Sequence, residues 1–533
     1  MKKHLSFPEI AWERTAGVAP PRACDRREAA PRTQRVTRQS LGTRLRQRLR
    51  KGFMLWLALS TLAGCGQSSG DRVLVDKNLY ETGLARPARF DVVVFKYPRG
   101  PVENGTPKNY IKRLLGLPGQ ILAIFFGQLY FWEPGPGEPP PYDDINNPKV
   151  KRQDLWQESF MHIDDEKSQG LFNTAGKFQI IRKPPAVIMA LRRLVYDNDY
   201  PAADLKGKLP PRWNPRAGSS WTPQSEHREF SHPGTKGKDI DWLRYQHILR
   251  PDEWPVLPPQ GVKPSLITDF MGYNSFQLKQ QGDRTPSPNW CGDLMLECRL
   301  TVVKAEGLFF MELSKGINRF RARWDLATGK CTLLKQGPEG KKADRWTELA
   351  SQDTSIKTPG SYEVRLANFD AQLTVWVNGK LPFGQGVAYD PPEIRAKGET
   401  QAKLSEEDLQ ARRGPRPEND LEPASIGSEG AAIEVRNVRI WRDTYYTLSA
   451  ERSSDADLNF GIEKFSWSEP DTWGPLRRVR SKTMYVQPGH YLCLGDNSPA
   501  SSDSRYWGTV PERLMLGRAL LVYFPLSRAG PIR

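Results

Sequence analysis

The chain has 533 residues, which is enough for about three domains and for more than one hydrophobic core. Its 45 Pro, 44 Gly and 16 Trp favour strands and turns and argue against a predominantly helical protein. The net charge of +17 is concentrated at one end: residues 1–52 hold 14 basic against four acidic residues, a surplus of ten, which leaves +7 for the rest. Residues 26–51 contain no aromatic side chain to stack on bases, so we predict no nucleic-acid partner.

The first 66 residues indicate a membrane location. Residues 1–52 are too poor in large apolar side chains to form a core, and we interpret them as a disordered basic arm or as a misassigned start. Residues 53–66 follow as a short apolar segment, whose twelve residues from Phe53 to Gly64 would span about 18 Å as a helix, against about 30 Å of bilayer hydrocarbon. The segment resembles an export signal, and Leu62-Ala63-Gly64-Cys65 resembles a lipoprotein box with Cys65 as the lipidated residue; a truncated anchor is the alternative. Either reading places the bulk of the chain on the extracytoplasmic side of the cell membrane.

Residues 67–135 predict a β-meander. Strand-like runs occupy Arg72 to Val75, Phe90 to Tyr97, Tyr110 to Leu115, Gln120 to Phe126 and Gln128 to Trp132, with glycines as breaks. The proline-rich EPGPGEPPPY ends the run, and residues 136–283 are predicted to be irregular apart from one helix that begins at Pro185.

Residues 284–447 predict a β-sandwich. About six alternating strands, among them GLFFMEL, NRFRARWDL and QLTVWVN, are separated by Gly, Asn and Asp turns. KLSEEDLQARRG interrupts them as a short helix with Ser405 as its N-cap and Gly414 as its stop. The last strands lie in residues 448–533. The predicted fold is thus mainly β.

No cofactor or metal site is predicted. The six cysteines form no CxxC or Cys/His ligand spacing, and HExxH, GxGxxG and phosphate-loop motifs are missing. Cys291, Cys298 and Cys331 lie close in sequence, so they are either partners in one disulfide or buried free thiols.

Two stretches carry candidate chemistry. YIKRLLGLPG, residues 110–119, puts Lys112 inside an apolar run, where the plain alternative is a solvent-facing lysine on an amphipathic strand. GDNSPASSDSRYWGTVP, residues 495–511, concentrates serines and carboxylates, where the plain alternative is a polar turn. Together with RFDVVVFKYP, and in this order, they resemble three conserved boxes of the bacterial type I signal peptidases, which are Ser-Lys proteases.

The resemblance implies a signal-peptidase core, split by a large insertion, that cleaves signal peptides from exported preproteins. It implies that Lys112 is the general base and that Ser501 orients the lysine amine. Asp503 and Arg505 would form the supporting charged pair, and Arg113 and Asp496 would have structural roles. A lysine base must be neutral, whereas an ordinary lysine has a pKa of about 10.4, so apolar neighbours are required; Leu114, Leu115 and Leu117 are the expected ones.

The nucleophile is where the sequence departs from the family pattern. The family places its serine in a Ser-Met-x-Pro-Thr stretch, eight residues before a Gly-Asp pair. Here that pair is Gly70-Asp71, and the corresponding position is Leu62. Ser60, Ser68 and Ser69 are nearby but out of register, so the nucleophile is unknown. A misassigned start, a noncatalytic relative and an out-of-register serine are the three explanations, and a noncatalytic envelope-anchored binding protein is the alternative function.

The insertion has a resemblance of its own. Its strand pattern and the closing VRNVRIWRD are similar to a concanavalin-like or laminin-G-like jelly roll. Such folds often bind carbohydrate, and Trp324, Trp376 and Trp441 could stack on a sugar ring. The alternative is that these tryptophans belong to the sandwich core.

Overall fold

The structure is a computed structural model that describes residues 71–81, 83, 85–98, 108–136, 160–161, 170–173, 176–235, 239–251, 256–259, 261–269, 289–337, 345–396, 399, 403–449, 465–498 and 501–533. The basic arm, the apolar segment, Cys24, Cys65 and the serines Ser60, Ser68 and Ser69 lie outside these residues. In the described part of the chain, no helix is long and apolar enough to cross a bilayer.

Most of the described chain forms strands, in three groups along the sequence. The first group is β1 (Arg72–Asp76), β2 (Val92–Lys96), β3 (Asn109–Gly116), β4 (Ile121–Phe125), β5 (Gln128–Trp132) and β6 (Phe160–Met161). The second group is β7 (Gln179–Ile180), β8 (Arg193–Asp197), β9 (Trp213–Pro215), β10 (Thr222–Gln224), β11 (Glu229–Pro233), β12 (Asp241–Tyr245), β13 (Leu294–Val302), β14 (Leu308–Lys315), β15 (Asn318–Asp325), β16 (Lys330–Gln336), β17 (Trp346–Asp353), β18 (Gly360–Phe369), β19 (Gln372–Val377), β20 (Val387–Ala388), β21 (Ala424–Glu429) and β22 (Ala432–Arg442). The third group is β23 (Ser481–Tyr485), β24 (His490–Leu494), β25 (Val510–Pro511), β26 (Met515–Phe524) and β27 (Gly530–Pro531).

The helices are short. They are α1 (Asn78–Glu81), α2 (Pro185–Leu191), α3 (Glu406–Arg412), α4 (Pro417–Asp420) and α5 (Ser504–Trp507), with 3-10 turns at Pro470–Thr472, Gly474–Arg477, Glu512–Leu514 and Leu526–Arg528. The predicted start of α2 at Pro185 is confirmed. The predicted cap of α3 is confirmed as well, because the Asp408 N–H donates to Ser405 Oγ at 3.0 Å.

Two sheets combine the first and third groups of strands, with β7 added from the second group. Sheet I has the order β1-β26-β2-β3-β24-β25, with β27 paired to β26, and sheet II has the order β6-β23-β4-β5-β7. The predicted meander is therefore only partly correct: β2 pairs with β3 and β4 with β5, but β1 pairs with β26 and the two hairpins lie in different sheets. Strands from both ends of the chain must meet to complete either sheet.

The rest of the second group, β8 to β22, forms a sandwich of two antiparallel sheets. Sheet III has the order β10-β11-β22-β13-β18-β19-β20, with β8 paired to β22, and sheet IV has the order β17-β16-β15-β14-β21-β12-β9. The expectation of irregular structure throughout 136–283 is wrong, because strands between 193 and 245 extend both sheets. Their short lengths and prolines hid them from a pattern search based on alternation. The prediction of a mainly β protein is confirmed.

The cores join the sandwich to sheet II. Alternation in β4 sends Ile121, Ala123 and Phe125 into the sandwich core, while Leu122 and Ile124 pack toward sheet I. Each fully buried Ile, Leu or Phe side chain contributes about 1.5–3 kcal/mol to the free energy of unfolding. Cys291, Cys298 and Cys331 are buried free thiols, which is the second of the two alternatives. Trp324 is fully buried in the sandwich core, and Trp376 is buried on the other face of sheet III in a cluster with Ile188 of α2, so the expectation that these two rings could stack on sugars is wrong.

Candidate active site

Lys112 lies on β3 in the middle of sheet I, opposite Val93 of β2. Alternation puts Lys112 on the same face as Tyr110 and Leu114, where the ammonium nitrogen is 5.7 Å from the centre of the Tyr110 ring. Leu114 is fully buried on this face. Leu115 belongs to the core on the other face of the strand, so the expectation that it would line Lys112 is wrong. Lys112 itself is half-buried.

The structure brings Ser501 to Lys112 although the two are 389 residues apart. The Lys112 Nζ donates to Ser501 Oγ at 3.1 Å, and Ser501 is only 5% exposed. Ser501 lies in the loop between β24 and α5, and β24 pairs directly with β3. This pairing is the reason that a residue near the end of the chain reaches a lysine near its start.

Gly495 makes this contact possible. It directly follows β24, and a Cβ atom placed on it would lie 2.0 Å from Ser501 Oγ and 3.5 Å from Lys112 Nζ. Any larger residue at this position must displace the serine hydroxyl. The sequence carried this glycine inside the GDN stretch, but nothing in its pattern revealed the steric requirement.

Arg113 points to the opposite face of β3 from Lys112 and anchors the same loop. Its guanidinium donates to both carboxylate oxygens of Asp496, from Nε at 2.9 Å and from Nη2 at 2.8 Å. Arg113 is 2% exposed, and although burial works against its charge, the Asp496 carboxylate raises the pKa of the guanidinium. Arg193 of β8 adds a third contact by donating to the Asp496 carbonyl at 2.8 Å. A residue of the insertion therefore touches the loop that carries Ser501.

Asp503 and Arg505 form a fully buried pair below the loop. Arg505 donates from Nε to Asp503 Oδ1 at 2.9 Å and from Nη2 to Oδ2 at 2.6 Å, and both side chains are 0% exposed. Burial alone would favour the neutral acid, but Arg505 and the Gly495 N–H hold the pKa of Asp503 below its usual range. The Asp503 carboxylate thus ties Gly495 to Arg505 on either side of Ser501.

Thr447, in the segment that follows β22, and Ser498 supply the remaining hydrogen-bond acceptors of Arg505. The Nη1 atom donates to the Thr447 carbonyl at 2.9 Å, to Thr447 Oγ1 at 2.8 Å and to Ser498 Oγ at 2.7 Å. The Thr447 N–H in turn donates to Ser498 Oγ at 2.9 Å. Sequence reasoning assigned no role to Ser498, and it missed Thr447 and Arg193 because their only signal is a contact between distant segments.

Cys493 lies on β24, near Lys112 and Asp503, and its thiol is a side chain of a potentially nucleophilic type. Burial, with Asp503 nearby, raises the pKa of its thiol, and the Lys112 charge only partly opposes this. The thiol is 0% exposed and packs in the core of sheet I. We therefore assign Cys493 to packing, since a nucleophilic cysteine needs a lowered pKa and access to solvent.

A second polar cluster lies where the sandwich meets sheet II. Carboxylate oxygens of Asp293, Asp370 and Asp443 lie within 4.8 Å of one another, as a metal site requires. Two ammonium groups already occupy the space: Lys183 is 2.5 Å from Asp370 and 2.7 Å from Asp443, and Lys315 is 2.8 Å from Asp293. The neighbouring carboxylates raise the pKa of Lys183 despite its burial, so it stays protonated. We interpret the cluster as an ion-pair network rather than a metal site.

Comparison with known proteins gives matches for both ends of the chain. The family model described as "Signal peptidase, peptidase S26" matches residues 66–167 and 421–524. A signal peptidase I of Buchnera aphidicola is 41% identical over 113 residues, which are 21% of this chain and 35% of that protein. A signal peptidase I of Leptolyngbya laminosa is 37% identical over 71 residues, 13% of this chain and 31% of that protein. The chain thus spans about a third of the length of these curated relatives.

Solved structures match the chain weakly. A carbohydrate binding module of Bacillus subtilis is 9% identical with a TM-score of 0.24, over 43% of this chain and 94% of that chain. A galectin of Caenorhabditis elegans is 13% identical with a TM-score of 0.18, over 29% and 86%. Scores this low carry no argument about the fold or a ligand. The similarity that does carry weight is to the S26 signal peptidases, and it falls on the two segments that hold Lys112 and Ser501.

Proposed function

We propose that the chain is a membrane-associated serine endopeptidase of the signal peptidase I type, in which Lys112 is the general base. The observation that carries this proposal is the 3.1 Å hydrogen bond between Lys112 Nζ and Ser501 Oγ. A polar turn or a solvent-facing lysine would not require a glycine at 495 to admit this contact, so the two plain alternatives explain the geometry less well.

The geometry supports a specific division of roles. A neutral lysine amine has two N–H bonds and one lone pair, and donation of one N–H to Ser501 fixes the direction of the lone pair. The lone pair can then accept the proton of a nucleophilic hydroxyl as it attacks the scissile carbonyl. The same amine returns the proton to the leaving nitrogen, after which water, activated in the same way, hydrolyses the acyl-enzyme. Ser501 is a positioning residue in this scheme.

The supporting residues hold the loop in place. Asp503 and Arg505 fix it from below, and Arg113 fixes Asp496 at its start. The nucleophilic serine is proposed to come from the segment before Asp71, and the substrates are proposed to be signal peptides of exported preproteins. The described part of the chain would lie on the extracytoplasmic side of the cell membrane.

The test is cleavage of a purified preprotein by the full chain in detergent micelles. We expect Lys112→Ala to lower the cleavage rate by about 10²- to 10⁴-fold, the usual contribution of a general base. Ser501→Ala should lower it less, and Ser501→Thr should restore part of the rate because it keeps the hydroxyl. Lys96→Ala is the matched control, since Lys96 is an exposed lysine at the end of β2.

A second candidate function is a noncatalytic envelope-anchored binding protein. It is favoured by one observation, the leucine at position 62, where the family pattern has its serine. No cleavage by the wild-type chain, with the fold intact by circular dichroism, would support this function and refute the endopeptidase. Equal cleavage by the wild type and Lys112→Ala would refute the role of Lys112 alone.

A further inference from the structure

Lys183, Asp370 and Asp443 form a buried set of side chains where the sandwich meets sheet II, which we call the lysine triad. The exposed fractions of the three residues are 5%, 1% and 6%. Lys183 Nζ donates to Asp370 Oδ1 at 2.5 Å and to Asp443 Oδ2 at 2.7 Å. One amine nitrogen is therefore in direct contact with two carboxyl groups in a region from which water is largely excluded.

The Asp370 carboxylate is held in one orientation toward the lysine. Asp370 and Ala371 are the two central residues of the turn between β18 and β19, both with positive φ, as a tight hairpin of this kind requires. The Lys183 N–H donates to Asp370 Oδ2 at 3.1 Å, so Oδ1 faces the ammonium. Since Cγ is bonded to Oδ1, Nζ lies within about 3.7 Å of Cγ, close to the separation of about 3–3.5 Å in a near-attack geometry.

The surroundings of the lysine triad also suit the proton transfers that an attack by the amine needs. Burial raises the pKa of Asp370 and raises the pKa of Asp443 to about 7, because the charged forms are poorly solvated. A protonated carboxyl group is the form that an amine attacks. Burial lowers the pKa of Lys183 but the two carboxylates raise it further, so the ammonium is the resting form. Its 2.7 Å hydrogen bond gives a proton a direct path to Asp443.

We propose that Lys183 and Asp370 condense into an intramolecular isopeptide bond, with Asp443 as the proton carrier. Nζ attacks Cγ, the N–C bond forms, the Cγ–Oδ1 bond breaks, and Oδ1 leaves as water. Of the three ammonium protons, one stays on the amide nitrogen and two leave in the water. Asp443 passes them on and ends in the protonation state in which it began. Asp443 also lines the cleft beside Trp290, which gives the water a way out.

Burial favours the amide over the ion pair. Two charges buried away from water carry a desolvation penalty, and condensation removes one charge of each sign. The polar atoms of the amide keep their partners, since the remaining oxygen Oδ2 accepts from the Lys183 N–H and the remaining Nζ–H donates to Asp443. The bond would tie the start of α2 to the turn between β18 and β19. This proposal does not depend on the proposed peptidase function.

The test is tryptic peptide mapping of the purified full chain by tandem mass spectrometry. Complete digestion places Lys183 in the peptide 183–192 and Asp370 in the peptide 366–380. We expect most of the folded chain to give these two peptides joined, as one species that is lighter than their sum by one water molecule. Recovery of only the separate peptides would show an ordinary buried ion pair and overturn the proposal. A bond from Lys183 to the peptide 443–452 would overturn the assignment of Asp370 as the acceptor.

The same digest contains a matched control. Lys206 Nζ and Glu226 Oε2 are also 2.5 Å apart, but both side chains are more than half exposed. Water solvates both charges there, so no condensation is expected. The peptides 194–206 and 217–228 should therefore be recovered separately, and a bond between them would show that short contact alone, rather than burial, explains any linkage.

Two variants test the roles within the lysine triad, with circular dichroism to check their folds. Lys183→Arg should abolish the linked species, because a guanidinium keeps the charge but does not deprotonate to a nucleophilic amine. In chain collected soon after synthesis, Asp443→Asn should lower the linked fraction at least about tenfold, since a general acid–base contributes about 10²- to 10⁴-fold to a rate. Undiminished linkage in folded Asp443→Asn would overturn the role of Asp443. If Asp443→Asn does not fold, the peptide map of the wild type alone decides whether the bond exists.

Discussion

Replacement of Arg505 by methionine tests how the site loop is held. The variant leaves Asp503 ionised at 0% exposure with its principal counter-charge removed, and it takes away the donors to Thr447 and Ser498. Breaking a buried ion pair from one side costs about 3–5 kcal/mol. If this cost falls on local opening of the loop, the opening constant rises by between about 10² and 10⁴, because 1.4 kcal/mol is a factor of ten.

Hydrogen–deuterium exchange with mass spectrometry measures this opening directly. Peptides that cover residues 490–508 should exchange faster in Arg505→Met, while peptides from β14 and β15 in the sandwich should not change. Lys206→Met is the matched control, because Lys206 pairs with Glu226 at the surface, where both side chains are more than half exposed. Unchanged exchange in 490–508 for Arg505→Met would refute the assignment of the buried pair as the anchor of the loop.

Three further predictions address the site and the insertion. Gly495→Ala should move Ser501 Oγ by about 1 Å to relieve the 2.0 Å approach, and so lower the rate of preprotein cleavage by about 100-fold. Gly474→Ala is the control and should have no effect, because nothing lies within 4 Å of a Cβ atom placed there. Equal activity of the two variants would contradict the steric role of Gly495. Arg193→Ala should increase hydrogen–deuterium exchange in residues 490–508 and lower the rate of preprotein cleavage, while exchange in the sandwich peptides stays unchanged. Unchanged exchange in 490–508 would show that the contact with Asp496 is dispensable. Burial raises the pKa of Asp420 to about 7, so the folded chain holds a proton that the unfolded chain releases above about pH 4. The free energy of unfolding, measured with urea, should therefore fall as pH rises from about 4 to 7, and Asp420→Asn should remove this part of the slope. Parallel pH profiles of the wild type and the variant would contradict this prediction.

The sequence predicted the parts of the fold that local rules determine. Pro185 and Ser405 mark helix starts because a missing N–H and a capping hydroxyl act within one turn. The strand β15 was recognisable by its alternation because only one of its faces is fully buried. The pairing of β1 with β26 was not predictable, since it depends on which distant edge is available rather than on the strand itself.

The site shows the same division. Lys112 and Ser501 were chosen through a resemblance, and the structure places them together by pairing β3 with β24. Arg193 and Thr447 were missed, because a lone arginine after a helix and a threonine in a linker carry no pattern. For the sandwich tryptophans the sequence left two alternatives open, and only the strand register shows that Trp324 lies in the core.

The path of residues 443–449 has a consequence for any attempt to shorten the chain. This stretch leaves β22, packs the Tyr445 ring on Gly127, and then passes Thr447 and Ser449 to the guanidinium of Arg505. Its sequence position assigns it to the end of the insertion, but its contacts with Gly127 and Arg505 make it a structural part of sheets I and II. A shortened protein in which residue 132 is joined directly to residue 465 would lose these contacts. A shortened protein that keeps residues 443–449 would retain the hydrogen-bond acceptors of Arg505.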